Sequence, residues 1–383
     1  MEESEAMPLL CKKCGKSYEE GTIIPWRCSC GGYLHYDFMP VFRKEDIRKG
    51  LKSMWRYDVA YPLKWEDLFV TYHEGFTPLV DAGFEKCRLK LKMDNLMPTG
   101  SFKDRGTVMV INYLLKAGVS RITEDSSGNA GASVAGYCAL GRIPCDIFVP
   151  KGNSRGKLMQ IRAYGASIHE ISGTREDVAA AAQRDEKSYA GHNWHPMFIQ
   201  GTKSLAYELW EQNDFEAPEH IVTVAGNGSC VLGLYQGFQE LLYNKMIARL
   251  PRLFVVQAQN CNPIFRMYQN EKEPASFLPT IAEGIALAEP NKCREVVDAV
   301  NDTGGTVVCV SEEEIVWAVK ELASRGFYAE PTSAAAYAGL IRLLERQELS
   351  SKDPVIMMIS GNGLKTGAEM ETLFYGKDAS DGT

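Results

Sequence analysis

The sequence has no excess of positive charge and no long apolar run. Its 383 residues include 42 basic and 49 acidic side chains, a formal net charge of −7, so neither nucleic acid nor a membrane surface is an expected partner. No apolar stretch approaches the roughly 20 residues that a membrane-spanning helix needs. The acidic opening MEESEAMPLL differs from a basic secretory signal. These features predict a cytoplasmic protein.

Internal repeats, low-complexity segments and the common nucleotide-binding motifs are also missing. The turn VAGNGSCVLG (224–233) has Gly226 and Gly228 at the first two positions of G-x-G-x-x-G, but Val231 stands at the third. No Gly-Lys-Ser/Thr follows, which excludes a Walker loop. The turn lies between a strand pattern and a helical pattern, so its backbone amides are suited to a phosphate at the helix N-terminus. The alternative is an ordinary turn.

Four of the eleven cysteines stand apart in the segment CKKCGKSYEEGTIIPWRCSCGGYLHYDF: Cys11, Cys14, Cys28 and Cys30. Without a secretory signal, cysteines are expected as thiols or metal ligands rather than as disulfides. The two glycine-bearing pairs resemble the knuckles of a zinc ribbon and predict one structural Zn²⁺. The alternative is a set of free thiols.

From about residue 75, short apolar runs alternate with helical patterns, which predicts an α/β fold. The strand candidates are RLKLKM (88–93), CDIFVP (145–150), HIVTVA (220–225), RLFVVQA (252–258) and VIMMIS (355–360). The helical candidates are GNAGASVAGYCALG, SLAYELWEQ and SAAAYAGLIRLLERQ.

A lysine opens one predicted helix, in the segment PTGSFKDRG (98–106). Pro98 and its neighbours form a turn, and Ser101 is expected to cap the helix. Lys103 then falls in the first helical turn, where the helix dipole disfavours positive charge. This position suits a neutral amine or an imine. The alternative is a solvated surface lysine.

Two further turns carry polar groups. In EDSSGNAG (124–131), Ser126, Ser127 and Asn129 surround Gly128 at a helix N-terminus, where hydroxyl and amide groups suit an α-carboxylate; helix capping is the alternative. In VIMMISGNGLK, a strand ends at Ser360, and ligands of open α/β sheets lie at the carboxyl ends of strands.

Together these features resemble the pyridoxal phosphate (PLP) site of the tryptophan-synthase-β family, also called fold type II. In that family a helix-opening lysine forms the Schiff base, an asparagine contacts the ring hydroxyl, and a Ser or Thr meets the pyridine nitrogen. The resemblance implies these roles for Lys103, Asn129 and Ser360. It also implies a phosphate site formed by Gly226, Asn227, Gly228 and Ser229.

Within this family the chain is most similar to threonine synthase. The shared motifs are HEGFTPL, PTGSFKDRG, SSGNAG, RGKLMQ, EPTSAAA and SGNGLK. The resemblance implies a homodimeric lyase of amino-acid biosynthesis that performs elimination or replacement at a phosphate-type leaving group. The alternatives are β-replacement on a phosphoserine-like substrate, deaminating elimination, or a zinc-ribbon binding protein on a degenerate PLP fold.

The resemblance places the amino-acid substrate at Thr99, Ser126, Ser127, His195 and Lys203. HNWHPMFIQGTKS (192–204) departs from the family pattern, because His195 stands at an asparagine position and Phe198 at an arginine position. Losing an arginine removes a bidentate phosphate contact, so altered substrate specificity is a hypothesis. Lys203, Arg155 and Lys157 are the remaining anion-binding candidates.

The resemblance also implies a domain division, with two open twisted α/β domains and the cofactor between them. Residues 1–40 are expected to form the zinc-ribbon-like segment. Residues 41–85 and 205–383 are assigned to a large domain that binds the cofactor phosphate, and residues 86–204 to a smaller domain with the lysine and asparagine motifs.

Overall fold

The structure is a computed structural model, and it describes residues 9–18, 25–153, 156, 158–185, 187–272 and 277–376. The described residues divide into two compact units. Unit 1 takes those of Met1–Gly75 and Lys103–Ser204, and unit 2 takes those of Phe76–Phe102 and Leu205–Thr383. A search of the described ranges finds no helix that is both long and apolar enough to cross a membrane.

Strands and helices alternate along most of the chain. The strands are β1 (Leu9–Cys11), β2 (Ser17–Tyr18), β3 (Leu34–Tyr36), β4 (Leu79–Asp81), β5 (Arg88–Met93), β6 (Ile122–Glu124), β7 (Cys145–Pro150), β8 (Ser167–Ile171), β9 (His220–Val224), β10 (Arg252–Ala258), β11 (Thr306–Val310) and β12 (Pro354–Ile359). The helices are α1 (Lys103–Lys116), α2 (Asn129–Gly141), α3 (Met159–Ala163), α4 (Arg175–Ala182), α5 (Pro196–Thr202), α6 (Ser204–Gln212), α7 (Ser229–Tyr243), α8 (Pro263–Tyr268), α9 (Cys293–Asp302), α10 (Glu312–Ser324), α11 (Pro331–Glu345) and α12 (Gly367–Tyr375).

Unit 1 contains two small sheets. The antiparallel sheet has the order β2-β1-β3, and the parallel sheet has the order β6-β7-β8. Strand β6 ends at the buried Glu124, and the chain then turns through residues 125–128 into α2. This places the serine-rich turn at the carboxyl end of a parallel strand.

Unit 2 contains one six-stranded sheet with the order β11-β10-β9-β12-β5-β4. All neighbouring pairs are parallel except β4 with β5. The central strand β9 is buried throughout, as expected for apolar runs covered on both faces. Since β5, β9 and β12 run parallel, the segments that follow them lie at one edge of the sheet.

The five strand candidates are confirmed as β5, β7, β9, β10 and β12, and the three helical candidates as α2, α6 and α11. The compact units differ from the predicted domains at three segments. The described residues of 1–40 group with unit 1 and do not form a unit of their own. Residues 41–75 group with unit 1, where Asn112 of α1 accepts hydrogen bonds from the backbone of Phe69 and Val70. Residues 86–102 group with unit 2, because β5 pairs with β12 and β4.

Candidate active site

Lys103 is the first residue of α1 and is half-buried. Its Nζ lies 5.5 Å from the centroid of the Phe198 ring. The same ring lies against Gly106, where an added Cβ would come within 2.5 Å of Phe198 Cγ. Only glycine therefore fits here, and Phe198 of α5 packs directly against the first turn of the lysine helix.

The predicted cap of α1 at Ser101 is wrong. The Ser101 hydroxyl is buried and has no hydrogen-bond partner among the described residues. Its backbone instead forms an isolated antiparallel bridge with Gly361. The backbone of Ser101 is therefore paired with the SGNGLK segment and does not form the cap of the helix.

The turn from β6 to α2 holds Ser126, Ser127 and Asn129, all half-buried. The N-cap of α2 is Gly128, which has no side-chain cap hydrogen bond, and Ser126 Oγ accepts a hydrogen bond from Gly128 N at 3.3 Å. Neither serine therefore caps the helix from the N-cap position. The serine hydroxyls and the asparagine amide of the turn are the groups expected at a carboxylate-binding site.

Two carboxyl groups lie beside this turn, and sequence reasoning missed both. Glu124 is fully buried, and its Oε1 lies 2.8 Å from His192 Nδ1. Asp125 accepts a hydrogen bond from Tyr189 Oη at 2.9 Å and pairs with Arg175 at 2.7 Å. In the sequence, the acidic residues Glu124 and Asp125 directly before SSGN were the feature that could have indicated these carboxyl groups.

His195 and Phe198 lie in different surroundings on α5. His195 is the N-cap of α5, and its Nδ1 accepts a hydrogen bond from Met197 N at 3.3 Å. Its ring packs against Tyr113, ten residues along α1 from Lys103. Nδ1 accepts, so Nε2 carries the proton, and Nε2 is buried without a partner among the described residues. Burial lowers the pKa of His195 to about 3, so the ring is neutral at pH 7.

Lys203 follows α5 and is fully buried, with Nζ 5.8 Å from the centroid of the Tyr61 ring. Its ammonium group therefore lies near one aromatic ring within unit 1. Arg155 and Lys157, the other cationic candidates, lie outside the described residues.

The glycine-rich turn after β9 precedes α7, which begins at Ser229. Its N-cap, Gly228, has a φ of 92°, and an added Cβ would lie 2.2 Å from Val296 Cγ2. Both facts require glycine. No side chain among the described residues caps the helix, so its first amides are suited to an anion. Asn227 Oδ1 accepts a hydrogen bond from Asn291 N at 3.0 Å, which fixes the turn.

Ser360 follows β12 at the same edge of the sheet and is buried. Its hydroxyl lies 2.9 Å from the hydroxyl of Ser333, on α11. Ser333 Oγ also accepts a hydrogen bond from Gly361 N at 2.8 Å. Ser333 belongs to the EPTSAAA motif, and its contact with Ser360 was not foreseen from the sequence.

Thr99 lies beside this segment in unit 2. Phe102 N donates a hydrogen bond to Ser360 O at 2.9 Å, and Asn362 N donates one to Gly100 O at 3.0 Å. Thr99 O accepts a hydrogen bond from Lys365 Nζ at 2.7 Å. The PTGSF and SGNGLK segments, far apart in sequence, are therefore paired in the fold.

The four N-terminal cysteines converge in unit 1. Their Sγ atoms all lie within 4.8 Å of one another, with Cys11 to Cys30 at 3.5 Å and Cys14 to Cys28 at 3.6 Å. Tetrahedral Zn–S bonds of about 2.3 Å imply S···S distances of about 3.8 Å. Hydrogen bonds from Cys30 N and Tyr18 Oη lower the pKa of Cys28 to about 6, which favours a thiolate. The donor set fits a tetrahedral metal.

Known proteins resemble this chain over most of its length. The family described as pyridoxal-phosphate dependent enzyme matches residues 70–361. The chain belongs to this family. Curated relatives include the threonine synthase of Methanocaldococcus jannaschii, which is 32% identical over 375 residues, covering 93% of this chain and 92% of the relative. The threonine synthase of Methanosarcina acetivorans is 31% identical over 373 residues, with the same coverage of both. The resemblance inferred from the motifs is confirmed.

Solved structures confirm the fold of this PLP enzyme. Threonine deaminase isoform 2 from Solanum lycopersicum superposes with a TM-score of 0.66 at 16% identity, covering 93% of this chain and 98% of that one. Serine racemase from Dictyostelium discoideum gives 0.61 at 24% identity, covering 75% and 92%. At these identities the likeness shows fold type II and not the reaction.

Proposed function

We propose that this protein is a PLP-dependent lyase that performs elimination or replacement on an amino acid with a phosphate-type leaving group, in the manner of its threonine synthase relatives. The observation that carries the proposal is the Ser360–Ser333 hydroxyl pair at the carboxyl end of β12. A neutral hydroxyl, unlike a carboxylate, does not hold a pyridine nitrogen protonated. This favours loss of a leaving group over transamination.

In this proposal Lys103 is the covalent attachment point of the cofactor, and its amine then moves the proton at the substrate α-carbon. Asn129 would hold the ring hydroxyl of the cofactor, and Ser360 would hold its ring nitrogen. The amides of Gly226–Ser229 bind the cofactor phosphate. When bound, PLP supplies the electron sink for the reaction.

We assign the substrate to Thr99, Ser126, Ser127, His195 and Lys203. The hydroxyls of the serine turn suit the α-carboxylate, and Lys203 supplies a cation. His195 acts as a neutral donor through Nε2–H, since burial keeps its ring uncharged.

A second candidate is the same chemistry on a different substrate, and Phe198 favours it. Its buried ring packs on Gly106 and faces Lys103 where the family pattern has an arginine. Removing a bidentate contact to a desolvated phosphate costs about 2–5 kcal/mol. β-Replacement on a phosphoserine-like substrate and deaminating elimination belong to this candidate.

The test is kinetic and spectroscopic. Protein purified with PLP should show visible cofactor absorbance, and a protein without it would be a binding protein on a degenerate fold. Phosphohomoserine, phosphoserine and acetylated amino acids are then compared. Conversion of phosphohomoserine to threonine with kcat/KM above about 10⁴ M⁻¹s⁻¹ would favour threonine synthase activity over altered specificity.

We also propose that Cys11, Cys14, Cys28 and Cys30 bind one structural Zn²⁺. Four protein thiolates leave no open coordination position for catalysis. Metal analysis of protein purified without chelator should give about one equivalent; less than about half an equivalent would count against the site. A cytoplasmic homodimer is proposed from the family resemblance, and light scattering tests the oligomeric state.

A further inference from the structure

One buried pair of titratable groups in unit 1 has no role in the proposed function. Glu124, at the end of β6, is fully buried, and its Oε1 lies 2.8 Å from Nδ1 of the largely buried His192. Its second oxygen, Oε2, is buried and has no hydrogen-bond partner among the described residues. A buried carboxyl with an unsatisfied oxygen costs stability, which is a reason to look for a function.

We propose that Glu124 and His192 share one proton and thereby set the charge beside Lys103, as a positioning pair for the lysine amine. The inference deepens the proposed function and rests on it, because Lys103 is the proposed attachment point. Neither residue is assigned contact with the reacting atoms.

The pair is connected to Lys103 through Phe198. The His192 and Phe198 rings meet edge to face, with centroids 5.9 Å apart. The same Phe198 ring lies 5.5 Å from Lys103 Nζ and packs on Gly106 in the first turn of α1. Lys103 is one of the charges that act on Glu124. Phe198 contacts both groups, and its apolar ring lowers the local dielectric constant, so their charges interact more strongly than they would in water.

The remaining charged and titratable groups around the pair do not replace it. Arg175 on α4 also acts on Glu124, but it is paired with Asp125 at 2.7 Å. Asp125 additionally accepts a hydrogen bond from Tyr189, whose pKa burial raises well above its ordinary value. When Asp125 is ionised the Asp125–Arg175 pair is neutral as a unit, and burial raises the pKa of Asp125. The buried Asp104, next to Lys103 in α1, accepts a hydrogen bond from Ser133 Oγ at 2.6 Å. The proton on Glu124 and His192 is a further charge that can vary near Lys103.

With one proton the pair is neutral, either as carboxylic acid and imidazole or as carboxylate and imidazolium. Losing that proton leaves a net negative charge, which stabilises the protonated form of Lys103, so a smaller fraction of the amine is free to act as a base at a given pH. Burial raises the pKa of Glu124 to about 7, so the change falls within the working range of an enzyme.

The test compares Glu124→Gln and His192→Asn with a matched control in the same unit. His169 and Asp146 form a similar pair, with Nε2 and Oδ1 2.7 Å apart, but His169 is 44% exposed. The full-length protein, purified with PLP, is labelled at its six histidines, and their imidazoles are titrated by NMR. The absorbance of the bound cofactor is titrated from pH 6 to pH 9 in parallel.

Glu124→Gln should move the titration midpoint of His192 and shift the absorbance midpoint downward by about half a unit to one unit. His169→Asn should leave the absorbance midpoint unchanged. Glu124→Asp, which keeps the charge, covers the case in which the amide variant does not fold and should retain a titrating partner for His192. Unchanged midpoints in folded Glu124→Gln would overturn the inference. If the wild type shows no cofactor absorbance, the proposed function fails, while the NMR titration still tests the pair.

Discussion

Units 1 and 2 carry different chemical groups at the motifs that resemble the PLP enzyme family. In unit 2, the edge of the six-stranded sheet presents backbone amides and the hydroxyls of Ser333 and Ser360. The buried charges Lys92 and Glu208 of this unit are paired at 2.6 Å. In unit 1, the buried titratable residues Glu124 and His195 each retain a polar atom that has no partner among the described residues. Unit 2 therefore supplies fixed dipoles, and unit 1 supplies groups whose charge can change.

The largest expected effect comes from Lys103→Ala in unit 1. We expect activity to fall by at least about 10³-fold, because the variant loses both the attachment point and the base. Borohydride reduction followed by peptide mass spectrometry should find no cofactor-labelled lysine. Lys116→Ala, at the other end of α1 and half exposed, is the control and should keep the label. Covalent labelling of the Lys103→Ala protein at another lysine would contradict the assignment.

The second largest effect should come from Glu208→Gln, which is expected to lower the stability of unit 2. Glu208 accepts hydrogen bonds from Lys92 Nζ at 2.6 Å and from Phe76 N at 2.7 Å, and both charged side chains are fully buried. Removing one charge leaves the other uncompensated, so the free energy of unfolding should fall by about 3–5 kcal/mol.

Urea denaturation at pH 7 measures this change. Glu219→Gln breaks an exposed ion pair with Arg249, 3.8 Å long, and should alter stability by less than about 1 kcal/mol. Equal effects of the two substitutions would show that the buried charges of unit 2 do not depend on each other.

Ser333→Ala tests whether fixed dipoles in unit 2 matter to the reaction. Ser333 Oγ accepts a hydrogen bond from Gly361 N and is hydrogen-bonded to the Ser360 hydroxyl. Removing the Ser333 hydroxyl therefore frees the Ser360 hydroxyl to reorient. We expect kcat to fall roughly tenfold, the equivalent of about 1.4 kcal/mol, with KM little changed and a shifted cofactor absorbance. Ser324→Ala, on exposed α10 surface, serves as the control. An unchanged spectrum with lower stability would point to a purely structural role.

The smallest effect should come from His195→Asn in unit 1. Asparagine preserves the N-cap acceptor for Met197 N. The pKa of His195 in the folded protein, about 3, lies below its ordinary value of 6.5, so the unfolded chain binds more protons between these values. Stability is thus fully present above about pH 6.5 and declines as the pH falls toward 3.

The asparagine variant should show a weaker decline between pH 6.5 and pH 4, measured by thermal unfolding, with near wild-type stability at pH 7. A decline as steep as in the wild type would mean that other groups, and not His195, cause the acid sensitivity of unit 1.

Local pattern was sufficient for the regular elements and for the position of the main motifs. Strands β5 and β10 have the predicted bounds, and Lys103 lies in the first turn of α1 as predicted, although Ser101 does not cap that helix. The short strands β4, β6, β8 and β11 were not predicted. All four have only three to five residues, and β4 and β8 are partly polar. Pairing with neighbouring strands rather than periodicity therefore defines them.

The sequence by itself determined that this chain is an α/β protein of the PLP enzyme family, because turn residues, strand runs and a helix-opening lysine are local features. The tertiary structure decided which distant groups meet. Ser333 reaches Ser360, Phe198 covers Gly106, and Glu124 meets His192 across 68 residues of chain. It also decided that Ser101 pairs with Gly361 instead of capping α1. These contacts depend on sheet order and helix packing, which bring together residues that no short stretch of sequence contains.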